Sequence, residues 1–365
     1  MRFLDLKWAV LSAVFGLLHH HLMAQPQSSA GKHWLQSAPP VPEFKAPANI
    51  KAWEKQRRQI RTTLRTTLGD LPPRPKVPVV QTISREDRTY YTLERFTFDN
   101  GAGDTVPGYL LIPKDGPARK PAILYCHWHG GHYDVGKEEL FRTNALPEPP
   151  GPALVRDGFV VLAIDAYCFG ERNGRGPGGP SERGGAGELS ASKFQLWYGR
   201  SLWGMMVRDD LMALDYLSAH PAVDPARIGV TGISMGATRT WWIMALDDRP
   251  KTGVAVACLT RYQDLIAAEG LKYHGIYYYV PGLLRHFDTE AVVALAAPRP
   301  MLFMTGDQDA GSPVSGIRAI DAAVRPIYRL YDAEADFENE IISGLGHVYT
   351  PAMWEKTRRW FKERL

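Results

Sequence analysis

The chain has 365 residues, of which 45% are hydrophobic and 22% charged, and its net charge is +4. This composition predicts a globular protein, and the length suits one large α/β domain with an N-terminal extension. Acidic and basic residues are interspersed along the chain. This argues against nucleic acid as a partner, because nucleic-acid-binding proteins concentrate Lys and Arg on one face.

The three cysteines, Cys126, Cys168 and Cys258, cannot all pair within one chain, and none stands in a CxxC spacing. We therefore expect neither a disulfide scaffold nor a thiolate zinc site. Buried free thiols are the default. A disulfide between Cys126 and Cys168 remains an alternative, because these residues follow adjacent predicted strands and the protein is expected to be exported.

The first 24 residues have the pattern of a signal peptide. Arg2 and Lys7 precede an apolar run over residues 8–18, and a polar stretch follows residue 24. The run is shorter than the ~20 apolar residues that span a bilayer, so a permanent anchor is the weaker interpretation. We expect export to the periplasm or the medium and no membrane partner.

Residues 25–79 form a Pro-rich extension in which one helix is predicted over residues 48–68, and residues 80–365 form the main domain. Short apolar runs alternate there with helical patterns, which predicts a mostly parallel sheet with helices on both faces. The predicted strands cover residues 90–98, 105–112, 122–126, 159–164, 227–233, 253–258, 301–305 and 327–330. The predicted helices cover residues 152–157, 202–219, 235–246, 289–296, 314–323 and 351–365. Two insertions interrupt this alternation, a glycine-rich loop over residues 170–187 and a tyrosine-rich segment over residues 260–288.

A G-x-S-x-G motif follows the predicted strand 227–233 and opens a helix, and it places Ser234 between Gly232 and Gly236. This context is typical of a nucleophilic serine on a sharp turn, where small neighbours let the backbone bend. The helix start adds partial positive charge, and the Met235 N–H can donate to a developing oxyanion.

Such a serine needs a base and an orienting acid, which α/β-hydrolases supply in the chain order Ser, Asp, His. Asp309 follows the predicted strand 301–305, and His347 lies just before the last helix. We predict Asp309 as the acid and His347 as the base. Asp307 and Asp264 are rival acids.

The segment after strand 122–126 contains His127, His129 and His132. In a serine hydrolase this loop supplies the second oxyanion donor. The H-x-H-x-x-H spacing also allows a zinc-dependent hydrolase, although that alternative leaves the Ser234 motif unexplained.

Residues 90–365 resemble the dienelactone hydrolase and acetyl xylan esterase branch of the α/β-hydrolase superfamily. The segments that carry the resemblance are residues 127–131, 164–172, 224–232, the Ser234 motif, 297–300 and 306–309. In acetyl xylan esterases the residue after a His-Gly pair supplies an oxyanion N–H. Here Trp128 stands in place of that Gly, and the resemblance implies His129 as the donor. Dienelactone hydrolases use a Cys nucleophile, so Ser234 departs from that pattern and favours ordinary esters.

The resemblance implies a serine carboxylic-ester hydrolase that acts through an acyl-enzyme on a small ester or an acylated carbohydrate, without a cofactor or metal. The alternatives are a prolyl-oligopeptidase-like serine peptidase and a non-catalytic binding protein on a hydrolase fold. Candidate sugar-binding residues are the aromatic Trp197, Trp203, Tyr277, Tyr278 and Tyr279 and the basic Arg172, Arg175 and Arg183.

Overall fold

The computed structural model describes residues 29–365, so the predicted signal peptide lies outside the described residues. The helices are α1 (Ala30–Ser37), α2 (Ile50–Thr67), α3 (Pro150–Arg156), α4 (Gly185–Trp197), α5 (Leu202–Ala219), α6 (Met235–Leu246), α7 (Tyr262–Ala267), α8 (Thr289–Ala294), α9 (Val314–Arg329) and α10 (Pro351–Arg364). The strands are β1 (Val80–Asp87), β2 (Tyr91–Asp99), β3 (Thr105–Pro113), β4 (Lys120–Cys126), β5 (Val160–Ile164), β6 (Val223–Ile233), β7 (Thr252–Val256), β8 (Met301–Gly306) and β9 (Phe337–Ile342).

All nine strands form one sheet in the order β1-β2-β3-β5-β4-β6-β7-β8-β9. The pairs from β1 to β5 are antiparallel, and every pair from β5 through β4 to β9 is parallel. The carboxyl ends of β4, β6, β7, β8 and β9 therefore meet at one edge of the sheet, where ligands bind in open parallel sheets.

Side chains alternate between the two faces of the sheet, as strand geometry requires. In β4, Ile123 and Tyr125 pack with helices α3 and α10. Leu124 and Cys126 point the other way and pack with α5 and with Ile243 of α6. The predicted architecture, a mostly parallel sheet covered on both faces, is confirmed.

The N-terminal segment contains two helices rather than the one predicted. The predicted one is α2, and its Trp53, Ile60 and Leu64 are buried in the same apolar cluster as residues of α6, α8 and α9. Arg61 adds a two-pronged ion pair with Asp248. The extension therefore packs on the helices that cover one face of the sheet. Within the described residues, no helix is long and apolar enough to cross a membrane.

The strand predicted over residues 327–330 is wrong, because this segment lies at the end of α9. Ile320, Val324 and Ile327 continue the buried helical face of α9 through Pro326. The last strand is instead β9, which forms the edge of the sheet and carries polar residues, so it lacks an apolar run. The same reason explains the unpredicted β1 at the opposite edge.

The glycine-rich loop predicted over residues 170–187 is shorter than expected, since α4 begins at Gly185. Much of it is anchored. The side chain of Arg172 is buried and pairs with Asp104 and Asp209. The tyrosine-rich segment begins with the short α7 and continues through single 3-10 turns. All three cysteines are buried and free, so the disulfide alternative for Cys126 and Cys168 is wrong.

Candidate active site

Ser234 lies on a tight turn between β6 and α6, with backbone angles φ 58° and ψ −120°. Non-glycine residues rarely adopt a positive φ, and such strain is typical of functional sites. The turn fits because Gly232 and Gly236 flank it. A Cβ on Gly232 would lie 2.3 Å from the Cys126 carbonyl oxygen, and one on Gly236 would lie 2.0 Å from the same atom. The motif is therefore a packing requirement of the turn against the end of β4.

The structure places the predicted acid and base together. His347 Nδ1 lies 2.8 Å from Asp309 Oδ2, and the Gly311 N–H donates to Asp309 Oδ1. The rival Asp307 accepts from the Gly344 N–H at 2.8 Å, so it holds the loop that carries His347. The other rival, Asp264, pairs with Arg261 at 3.0 Å within α7.

The loop carrying His347 crosses close to the end of β8. A Cβ on Gly306 would lie 2.1 Å from the Leu345 carbonyl oxygen, so only glycine permits this approach. With Nδ1 donating to Asp309, the Nε2 atom of His347 is left without its hydrogen and can accept a proton.

Ser234, Asp309 and His347 line one cavity of ≈ 520 Å³, a size typical of small-molecule sites. In the part of the chain that the structure describes, no hydrogen bond joins Ser234 to His347. Such contacts are often loose before substrate binds. The other lining residues are His129, Gly130, Gly131, Cys258, Lys272, Tyr273, His274, Gly275, Tyr277, Gln308, Ala310 and Gly311.

The two predicted oxyanion donors come from two different segments, the start of α6 and the loop after β4. Met235 is the first residue of α6, so its N–H has no acceptor within the helix. In the loop after β4, the Trp128 N–H is already engaged, because it donates to Glu139 Oε2 at 2.9 Å. His129 is the next residue and lines the cavity. This leaves the His129 N–H as the candidate second donor, and that assignment stays a prediction.

Glu139 is fully buried behind this loop, where the Tyr125 hydroxyl also donates to it. Burial raises the pKa of Glu139 to about 7, against the lowering effect of the hydrogen bonds from Tyr125 and Trp128 and of the Arg239 charge.

The zinc alternative does not fit the structure, because two of its three histidines, His127 and His129, already use their imidazole lone pairs. The Ala166 N–H donates to His127 Nε2, and the Gly131 N–H donates to His129 Nδ1. Burial keeps the pKa of His127 well below its usual value, so its ring is neutral and Nδ1 donates to the Trp128 carbonyl. The His132 ring stacks on Trp128. No cluster of His, Cys, Asp and Glu in the described chain has the arrangement of a metal site.

Only some of the candidate sugar-binding side chains are accessible. Trp203 and Tyr278 are buried in the core, and Tyr277 forms part of the cavity wall. Trp197, at the end of α4, is 91% exposed. Arg172 cannot contact a sugar, because its side chain is buried in ion pairs with Asp104 and Asp209. Arg183 pairs with Asp134 at the surface, and Arg175 contacts the Glu171 carbonyl oxygen.

Two residues that contact predicted site residues were not identified by the sequence analysis as parts of a site. Cys258 follows β7, lines the cavity and contacts the Ser234 side chain. Burial raises the pKa of its thiol to about 12, so it is not a competing nucleophile at neutral pH. Glu188 of α4 is buried and lies 3.1 Å from the His129 ring. No sequence signal marked Glu188, because α4 begins in a segment predicted as loop.

The sheet order, the serine turn and the paired Asp309 and His347 define a hydrolase of the α/β type. The sequence profile of the abhydrolase family matches residues 28–315, and the chain belongs to this family. The matched part includes Ser234 and Asp309 and ends before His347.

Known proteins agree with this assignment. YtaP of Bacillus subtilis (strain 168), which is named as a hydrolase, is 35% identical over 85% of this chain and 100% of its own length. A structure named as an acetyl xylan esterase from Bacteroides fragilis superposes with a TM-score of 0.70 at 19% identity, covering 91% of this chain and 93% of that one. A glucuronoyl esterase from Solibacter usitatus gives a TM-score of 0.68 at 17% identity, covering 89% and 99%. At these identities the two structures show the shared fold alone.

Proposed function

We propose that this hydrolase is a serine carboxylic-ester hydrolase that acts through an acyl-enzyme. The observation that carries the proposal is the meeting of Ser234 with the hydrogen-bonded His347 and Asp309 in one cavity at the carboxyl edge of the sheet. In this mechanism Ser234 is the nucleophile, His347 the general base and Asp309 the acid that orients it.

The reaction has two halves. His347 Nε2 takes the proton of the Ser234 hydroxyl as the oxygen attacks the ester carbonyl, and the N–H groups of Met235 and His129 stabilise the oxyanion. His347 then protonates the departing alcohol, which leaves an acyl group on Ser234. A water molecule, deprotonated by the same imidazole, releases the acid and restores the serine.

We further propose an acylated carbohydrate as the substrate. The cavity wall presents the exposed ring of Tyr273, and aromatic faces of this kind stack on sugar rings. The structural neighbours named as carbohydrate esterases are consistent with this class. Export, and hence access to a polymer outside the cell, remains a proposal that N-terminal sequencing of the secreted protein would test.

The experiment that tests the proposed function is a panel of p-nitrophenyl esters of increasing acyl length, together with acetylated xylan and a methyl glucuronate ester. We expect preference for short acyl groups and release from the polymer. Ser234→Ala should lower kcat by several orders of magnitude with unchanged thermal stability, because the acyl-enzyme can no longer form. Near-normal turnover by that variant would refute the proposed serine mechanism.

The panel also decides between the proposed function and its alternatives. Faster cleavage of aminoacyl p-nitroanilides than of any ester would support the peptidase alternative. A wild-type protein that does not react with a fluorophosphonate probe and cleaves nothing would support a binding protein on a hydrolase fold. Preference for long acyl chains would replace the carbohydrate assignment with a lipase-like one.

A further inference from the structure

A second histidine in the cavity, His129, forms a hydrogen-bonded pair with a carboxyl group. Its Nε2 atom lies 3.1 Å from Glu188 Oε2, and its Nδ1 atom accepts from the Gly131 N–H at 3.0 Å. A backbone N–H can only donate, so Nδ1 carries no hydrogen. The hydrogen is therefore on Nε2, which donates to Glu188. Both ring nitrogens are engaged, and the ring cannot act as a base toward a substrate.

The carboxyl group of Glu188 is only 2% exposed, and two side chains hydrogen-bond its Oε2 atom. The Tyr133 hydroxyl donates to the same oxygen at 3.2 Å, and burial together with Glu188 raises the pKa of Tyr133, so the hydroxyl remains a donor. A Cβ on Gly275 would lie 2.6 Å from Glu188 Oε1, which places the second oxygen against the cavity wall. Burying a carboxyl group costs folding free energy unless the group is hydrogen-bonded, so the position of Glu188 depends on its bonds to His129 and Tyr133.

The His129 ring is also fixed by its aromatic neighbours. It stacks on Tyr277 with ring centroids 5.1 Å apart and meets Tyr133 and Phe169 edge-on at 4.8 and 5.1 Å. The loop itself is tightly turned, since Gly130 and Gly131 have φ values of 51° and 74°. A ring so held determines the position of the Gly131 N–H and of the loop backbone, which lines the same cavity as Ser234.

We propose that Glu188 is a positioning residue for the oxyanion loop. It selects the His129 tautomer that leaves Nδ1 free to accept from Gly131, and it thereby fixes the backbone whose His129 N–H would stabilise the oxyanion. This inference rests on the proposed esterase function. Glu188 acts through His129 and does not touch the reacting atoms.

Two substitutions at this position separate the hydrogen bond from packing. Glu188→Leu keeps most of the side-chain volume and removes the acceptor, whereas Glu188→Gln keeps an acceptor oxygen for His129. With p-nitrophenyl acetate we expect the leucine variant to lose about 10- to 100-fold in kcat at a little-changed KM, part of the ~10²- to 10³-fold effect of losing one oxyanion donor. The glutamine variant should recover to within about threefold of wild type. Tyr133→Phe removes only the second donor to Glu188 and keeps the ring contact with His129, so it should lower kcat less than Glu188→Leu does.

Active-site titration with a fluorophosphonate distinguishes positioning from a merely structural role. In a positioning role every folded molecule of the leucine variant is labelled and each turns over slowly. The inhibition constant of a short alkyl trifluoromethyl ketone, which places an oxyanion in the site, should rise by the same factor as kcat/KM falls. A smaller labelled fraction that turns over at the wild-type rate per site would overturn the proposal. A glutamine variant as slow as the leucine variant would also overturn it.

A readout independent of activity keeps this test separate from that of the esterase function. In ¹⁵N spectra of the His129 ring, wild-type protein should show the neutral tautomer protonated at Nε2, and Glu188→Leu should lose it. If the leucine variant does not fold, His129→Phe takes its place. It keeps a ring between Tyr277 and Phe169 without either hydrogen bond, and it should show the same fall in kcat. A wild-type ring protonated at Nδ1, or a His129→Phe variant with wild-type kcat, would refute the role of Glu188 even if the protein is an esterase.

Discussion

Replacing Gly236 by Ala tests whether the serine turn depends on close packing against β4. The added Cβ would lie 2.0 Å from the Cys126 carbonyl oxygen and 2.9 Å from its carbonyl carbon. Both atoms belong to the backbone of a central strand and cannot rotate away. The start of α6 must therefore move by about 1.4 Å to reach the 3.4 Å of ordinary van der Waals contact.

Two effects follow from that displacement. Overpacking of this kind costs about 1–3 kcal/mol of unfolding free energy. The same shift moves Ser234 and the Met235 N–H, and a 1 Å misplacement of catalytic groups can lower the rate by about 10²-fold. We expect kcat/KM for p-nitrophenyl acetate to fall by at least that factor, which is more than partial unfolding at 25 °C would explain.

The assay combines steady-state kinetics with urea unfolding on purified wild-type and variant protein. Gly176→Ala is the matched control, because its added Cβ meets only the Gly187 carbonyl oxygen at an ordinary 3.7 Å. It should leave both quantities near their wild-type values. A Gly236→Ala variant with kcat/KM within about threefold of wild type would refute the packing argument for the motif.

Three further predictions concern the acid, a buried carboxyl group and the thiols. Asp309→Asn should lower kcat by about three orders of magnitude or more, because the amide no longer enforces the His347 tautomer. Asp307→Asn should lower kcat less than about tenfold, since its amide oxygen still accepts from the Gly344 N–H. The reverse ranking in steady-state kinetics would transfer the role of the acid to Asp307. The pKa of Glu139 rises from 4.5 to about 7 on folding, so protonated Glu139 adds to the free energy of unfolding at low pH. This contribution of about 3 kcal/mol is complete below pH 4.5 and is lost as the pH rises to about 7. In urea titrations at pH 4.5 and 8, the unfolding free energy of Glu139→Gln should lack this pH-dependent contribution. An equal change in unfolding free energy between the two pH values for wild type and variant would contradict the raised pKa of Glu139. All three cysteines are buried and have raised thiol pKa values. A thiol-reactive dye should therefore label none of them in native protein and all three in denaturant without reductant. Two unlabelled thiols after denaturation would indicate a disulfide.

Much of the fold was predictable because the central strands and the helices that cover them are local apolar patterns. Helices α5 and α6 were predicted with their observed bounds, and the central parallel strands to within a few residues. The edge strands β1 and β9 were missed for the opposite reason. An edge strand is only half covered, so its sequence stays polar and contains no apolar run.

The sequence by itself determined the nucleophile motif and the order of Ser234, Asp309 and His347, because a strand-to-helix turn and its flanking glycines are local features. Only the tertiary structure shows that Asp309 reaches the His347 ring whereas Asp307 reaches the Gly344 N–H, since both residues follow β8 in the sequence. Only the tertiary structure, too, brought Glu188 to His129, 59 positions apart in the chain. Contacts between side chains that are distant in sequence depend on how the strands and helices pack, and no local pattern of residues encodes that packing.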